Sequence, residues 1–212
     1  MKRLKLKNKF SEKFIVLDGP DGCGKSTQAN ILGDWIKGQG VEVAALRDPG
    51  GTVIGEKIRA ILLSPEHAAM STRAELLLYM AARAQLWEEK IKPALDRGCC
   101  VLLDRWVSST CAYQGYAGGF GIDGVARIAE GSLERVWPDL TVILDVDLST
   151  TRGRLDRELD RMEQKGDEYH QKVREGFLEL AKGRGDIVVV EGEVSVEEVA
   201  GKIKEIIIET DF

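Results

Sequence analysis

The chain has 212 residues, enough for one sizeable hydrophobic core. Its 30 Lys and Arg against 35 Asp and Glu leave a net charge of −5, which excludes a protein that wraps nucleic acid by bulk positive charge; any anion must be gripped locally. With 43% hydrophobic and 31% charged residues and no apolar run of bilayer length, the composition is that of a soluble globular protein with no membrane partner.

Residues 1–12 read as a basic extension, rich in lysine, without the apolar stretch of a secretory signal, and are expected to be solvated and frayed. Residues 13–212 read as a single domain, with no internal repeat or linker. Phe14-Ile15-Val16-Leu17 is a short apolar run that predicts a buried parallel strand. A glycine-rich turn follows, then Ile31, Leu32, Trp35 and Ile36 at helical spacing until Gly38 and Gly40. Residues 41–46 predict a second strand, closed by Asp48-Pro49-Gly50-Gly51. Thr72 and Glu75 have capping-box spacing at the head of a long helix carrying Leu76, Tyr79, Met80, Arg83 and Trp87, which Pro93 should interrupt. Further strands are predicted at residues 99–103, 141–144 and 187–190, and Ser195 with Glu198 repeats the capping-box spacing before a last helix. Five apolar strands alternating with helices imply an α/β fold with a parallel sheet covered on both faces.

Gly19-Pro20-Asp21-Gly22-Cys23-Gly24-Lys25-Ser26 matches G-x-x-x-x-G-K-[ST] between a predicted strand and a predicted helix, the context that a phosphate-binding loop requires. Glycines let the backbone curl so that successive N–H groups converge on one anion, at the positive end of the helix that follows. Lys25 is expected to reach the β and γ phosphates of ATP, and the Ser26 hydroxyl to hold Mg²⁺. Cys23, at a helix N-terminus, is expected to have a lowered thiol pKa, so that thiol reagents would inactivate the protein and ATP would protect it. Cys99, Cys100 and Cys111 complete the cysteines, without a CxxC pair and with only His67 and His170 as further soft ligands. That pattern argues against zinc and for reduced thiols in a cytoplasmic setting. No guanine-reading N-K-x-D is present.

The stretch from Asp18 to Thr27 resembles the phosphate loop of the thymidylate kinase family. Arg47-Asp48-Pro49-Gly50-Gly51-Thr52 with Gly55 to Arg59, Arg83-Ala84-Gln85, and Asp104-Arg105-Trp106 through Gly115 resemble three further motifs of that family, in the same order. The resemblance implies a P-loop NTPase-type five-stranded parallel sheet with a short helical lid at about 150–163. It also implies transfer of the ATP γ-phosphoryl to dTMP by a homodimer. It places Gly19 to Thr27 on ATP. Arg59 and Arg105 fall on the acceptor phosphate, and Asp48 and Asp21 on the acceptor, with Asp21 near its sugar hydroxyl. Tyr79 then stacks on the base, Arg83 contacts a base carbonyl, Thr110 and Gln114 lie near the thymine edge, and Tyr113 lies beside the sugar.

Asp104, ending its strand, could hold Mg²⁺ through water or orient the acceptor, or merely pair with Arg105. The family's catalytic arginine comes from the phosphate loop or from the lid. Gly22 stands at the loop position, so the resemblance points to Arg152 or Arg154. The bland reading of Arg152, Arg154, Arg157 and Arg161 is a solvated helix with pairs such as Arg154 with Glu158. The chain departs from the family at Asp18 and Asp48, where glutamate is common, at Trp106, where tyrosine or histidine is common, and at Arg157, where glycine is frequent. The competing readings are a kinase for another monophosphate and a nucleotide-dependent switch.

Overall fold

The computed structural model describes residues 6, 8–153 and 158–211, with Arg152 described in its backbone alone. Five strands, β1 (Phe14–Asp18), β2 (Val43–Arg47), β3 (Cys100–Asp104), β4 (Leu140–Asp145) and β5 (Ile187–Glu191), form one parallel sheet in the order β2-β3-β1-β4-β5. This is the P-loop NTPase-type α/β arrangement. β1 is central and buried at all five residues, because side chains alternate between two covered faces. Phe14 and Val16 enter one core with Val101, Leu103 and Ile143. Ile15 and Leu17 enter the other with Leu102, Val142 and Leu144. Each such aliphatic side chain contributes about 1.5–3 kcal/mol by leaving water.

Helices α1 (Lys25–Gly38) and α9 (Val196–Glu209) cover the second core through Leu32, Ile36, Val199, Ile203 and Ile207. The first is covered by α3 (Thr72–Leu86), α6 (Ile122–Ser132) and α8 (Asp167–Lys182). Further helices are α2 (Val53–Leu63), α4 (Lys92–Asp96), α5 (Val107–Thr110) and α7 (Leu148–Gly153). A π turn over Trp87–Ile91 joins α3 to α4, whose first turn holds Pro93; a residue without an N–H fits where the helical ladder is re-set. The Ser195–Glu198 capping box forms as expected.

Four expectations are corrected. The second strand begins at Val43, not Val41, which is buried before it. α3 is capped by Ser71, whose hydroxyl accepts from Ala74 N, while Glu75 turns inward and is 2% exposed. The basic extension is not frayed over residues 8–10: these are helical, Phe10 is fully buried with its ring edge-on to Trp35, and Lys9 Nζ donates to Ile208 O and Thr210 O at the end of α9. The lid is helical only in α7 among the described residues. Residues 158–166 run as coil and turns, in which Arg161 and Glu163 are buried, not solvated. Arg154 and its suggested pairing with Glu158 lie outside the described residues.

Candidate active site

α1 begins differently from α2, α3 and α9. Those three are capped by the side chains of Thr52, Ser71 and Ser195, whereas α1 starts from Gly24, at φ 99°, with no side-chain cap. α6 and α8 also start from a glycine without a side-chain cap, but α1 alone of these three follows the G-x-x-x-x-G-K-[ST] loop, and its uncapped first N–H groups suit an anion. Gly22 (φ 78°) cannot be replaced without strain, since a Cβ there would meet Thr151 O of α7 at 2.6 Å. Lys25, 7% exposed, lies back along the loop and donates to Gly19 O at 3.1 Å and Pro20 O at 2.7 Å. Ser26 Oγ donates to Asp104 Oδ2 at 2.8 Å, so Asp104 serves the loop and is not the partner of Arg105.

A cavity of about 510 Å³ opens beside this loop at the carboxyl ends of β1, β2 and β3. It brings together Asp21, Gly22, Gly24, Lys25, Ser26 and Thr27 with Asp48, Arg59, Tyr79, Arg83, Asp104, Arg105, Thr110, Tyr113 and Gln114. Gly19, Pro20 and Cys23 do not line it. Cys23 is 3% exposed and packs into the second core; burial pushes its thiol pKa up despite nearby Lys25, which overturns the expectation of a lowered value.

Arg105 sits at φ 70°, a left-handed backbone that costs a non-glycine residue about 1–3 kcal/mol. The conformation is held by Arg105 N to Leu17 O (3.0 Å), and Nη1 donates to Gly19 O (3.0 Å) and Ser109 Oγ (2.9 Å). Nη2 pairs with Asp21 Oδ1, and Asp21 Oδ2 accepts from the Tyr113 hydroxyl at 2.7 Å. Burial works to raise the Asp21 pKa, but Arg105, Lys25 and the Tyr113 hydroxyl overcome it and hold the group at about 2. Asp18, fully buried, accepts from Ser108 Oγ (2.5 Å) and Ser109 Oγ (2.6 Å) and lies 3.6 Å from Arg105, so it fixes the turn that presents that arginine.

Arg83, 1% exposed, is committed to protein partners: Nε to Asp48 Oδ2 (2.8 Å), Nη1 to Thr110 Oγ1 (2.6 Å) and Nη2 to Trp106 O (2.7 Å). Its guanidinium also lies over the Tyr79 ring at 5.6 Å, as their spacing of four on α3 requires. Arg59 Nη1 donates to Pro49 O at 2.9 Å. Asp160, Met162 and Glu163 also line the cavity, with Arg47, Pro49, Leu63 and Ser109. The sequence assigned no individual site role to Asp160, Met162, Glu163 or Asp18, although Asp18 opens the stretch that resembles the family's phosphate loop and residues 160–163 fall in the expected lid. Of the two lid arginines, Arg154 lies outside the described residues and Arg152 is placed on α7 by its backbone only.

Two anionic groups can be held side by side here, one by main-chain amides and Lys25, the other by guanidinium groups. The family model for thymidylate kinase matches residues 17–203. The chain belongs to the thymidylate kinase family. It is 42% identical to the thymidylate kinase of Thermosipho africanus over 195 residues, covering 92% of this chain and 96% of that one. The thymidylate kinase of Exiguobacterium sp. is 39% identical over 203 residues, covering 94% and 96%. The crystal structure of thymidylate kinase from Ehrlichia chaffeensis superposes with a TM-score of 0.75 at 28% identity, covering 92% of this chain and 98% of that one. As a thymidylate kinase this chain is an ATP-dependent phosphotransferase, and the readings as a switch or as a kinase for another monophosphate are not favoured.

Proposed function

We infer that the chain transfers the γ-phosphoryl of MgATP to dTMP, giving dTDP and ADP, with the residues of the 510 Å³ cavity in the roles their chemistry suits. The observation that carries this reading is Arg105, fixed in the cavity against the phosphate loop by Gly19 O, Ser109 and Asp21. An anion-binding loop serves ATP alone; a guanidinium beside it calls for a second anionic substrate. Gly19 to Thr27 take the ATP phosphates through backbone amides and Lys25. On ligand binding Lys25 exchanges the loop carbonyls Gly19 O and Pro20 O for phosphate oxygens. Arg105 and Arg59 hold the acceptor phosphate, and Asp21 with Tyr113 faces its sugar. Tyr79 offers a flat face to the base, backed by Arg83, whose ties to Asp48, Thr110 and Trp106 O keep it rigid. The acceptor phosphate is already ionised near neutral pH, so no general base is needed, and rate comes from position and charge.

Ser26 and Asp104 suit Mg²⁺, because two adjacent hard oxygen groups at the phosphate loop fit an ion that keeps waters and phosphate oxygens as its other ligands. Among the described residues no group of three or more His, Cys, Asp or Glu is placed to hold a metal ion. Bound there, Mg²⁺ neutralises phosphate charge.

We also read the chain as a cytoplasmic homodimer that binds no nucleic acid. Val53, Ile54, Ile61 and Leu77 are exposed apolar side chains on α2 and α3, which supports pairing through that face. Among the described residues no helix is long and apolar enough to cross a membrane. A coupled ADP-release assay with dTMP, dUMP, CMP and AMP tests the substrate: turnover of CMP or AMP without dTMP would overturn the assignment. Light scattering of wild type and Leu77→Asp tests the dimer.

A further inference from the structure

Glu75 is a buried carboxylate that the phosphoryl-transfer chemistry does not use. It projects from α3 one turn before Tyr79, and its two oxygens serve different parts of the molecule. Oε1 accepts from Gln114 Nε2 at 2.7 Å. Oε2 pairs with Arg161 Nη1 at 2.6 Å, and Lys165 Nζ stands 3.5 Å from Oε1. Arg161 in turn donates through Nε to Leu62 O at 2.7 Å and through its backbone N–H to Leu63 O at 3.0 Å. This anchors the segment whose Asp160, Met162 and Glu163 wall the cavity.

A carboxylate between two cations offers only acceptor lone pairs, so the Gln114 amide can meet it in one orientation, nitrogen toward Glu75. The carbonyl oxygen is then left to the cavity that Gln114 lines. Among the other neutral groups there, Thr110 Oγ1 already accepts from Arg83 and the Tyr113 hydroxyl is given to Asp21. Thymine attached to its sugar carries one ring N–H, at N3. Cytosine presents a lone pair at that position.

We propose that Glu75 is the positioning residue that sets base selectivity, by turning the Gln114 carbonyl toward the acceptor base as the partner of the thymine N3–H. Through Arg161 the same carboxylate ties this orientation to the return arm of the lid. A reader amide free to rotate would accept N3–H or donate to a bare N3; a locked one rejects cytosine by leaving two acceptors face to face.

The inference rests on dTMP being the acceptor; were that wrong, the wild-type protein would fail to bind dTMP at all, a separate outcome. Glu75→Gln keeps the shape but offers both a donor and an acceptor to Gln114. The ratio of dissociation constants for dCMP and dTMP, measured by calorimetry, is expected to fall about tenfold or more. KM for dTMP should rise more than kcat falls, with KM for ATP within about twofold of wild type. In a Gln114→Met background the same substitution should leave the ratio unchanged, because Glu75 acts through Gln114. An unchanged ratio in Glu75→Gln, or an equal fall in both backgrounds, would overturn the proposal. Should Glu75→Gln fail to fold, neutron diffraction from the deuterated wild-type complex with dTMP decides: the Gln114 ND₂ on Glu75 supports it, and the ND₂ against N3 refutes it.

Discussion

Arg105 and Asp21 are 84 residues apart in the chain, yet they form an ion pair at the mouth of the phosphate loop, with Tyr113 closing on the other carboxylate oxygen. In the proposed arrangement the pair joins the ATP side of the cavity to the acceptor side. Because Arg105 also holds Gly19 O, a change at this arginine is felt in both places, but unequally.

Arg105→Ala is expected to lower kcat/KM for dTMP by about 10²–10³-fold, since it removes a charge-assisted contact to the acceptor phosphate in a water-poor site. ATP affinity should change by a few-fold at most, because the loop amides and Lys25 remain. Steady-state kinetics with each substrate varied in turn checks this; equal losses for both substrates would remove Arg105 from the acceptor site.

The Asp21 carboxyl, held at about 2 against a reference of 3.8, links stability to acid pH. A lowered carboxylate pKa contributes stability that is fully present above the unfolded value, near 3.8, and is lost as pH falls toward 2. The melting temperature of Asp21→Asn should therefore lie below wild type at pH 6. The gap should shrink as pH drops from about 4 toward 2. A gap independent of pH over that interval would contradict the ion pair.

All four cysteines are buried, and burial pushes the Cys100 and Cys111 thiols up to about 12 and raises Cys23 as well. A rise from the usual value to about 12 reduces the thiolate fraction by about 10³-fold. Alkylation of the folded protein at pH 8 should thus be slower than in denaturant by about 100-fold or more, with or without ATP. Mass spectrometry of labelled peptides would reveal a fast, ATP-protected Cys23 if this is wrong.

Gly22 leaves no room for a loop arginine, since a side chain there strikes Thr151 O, and we therefore propose that a lid arginine meets the charge on the transferring phosphoryl. Of Arg152→Ala and Arg154→Ala, one is expected to lower kcat by about 10³-fold with little change in KM for dTMP. Gly22→Arg should not rescue it and should itself lower the melting temperature. Full activity in both alanine variants would exclude a lid arginine.

Much of the site was legible because its chemistry is local. The phosphate loop needs glycines, a lysine and a serine at set spacing between a strand and a helix, and all of these lie within residues 19–26. Tyr79 and Arg83 share a face because they are four apart on one helix. The strands were legible because a sheet covered on both faces demands runs of apolar residues. Other features depend on groups distant in sequence. Thr72 and Glu75 have capping-box spacing, but the cap is Ser71, because Glu75 finds Arg161 and Gln114 inside the fold. Cys23 has the sequence position of a reactive thiol, but the strands beside it bury it.

By itself, then, the sequence determined the order of strands and helices and the phosphate loop, since each follows from short-range spacing and residue type, while Arg59 and Arg105 were picked out by their place in motifs that resemble the family's. Only the tertiary structure decided that Asp104 serves Ser26, that Arg105 pairs with Asp21, that Phe10 and Arg161 are buried, and that Glu75 orients Gln114. The physical reason is that a charge or an amide takes the strongest partner that packing brings within about 3 Å, and that partner is set by how the elements stack on the sheet.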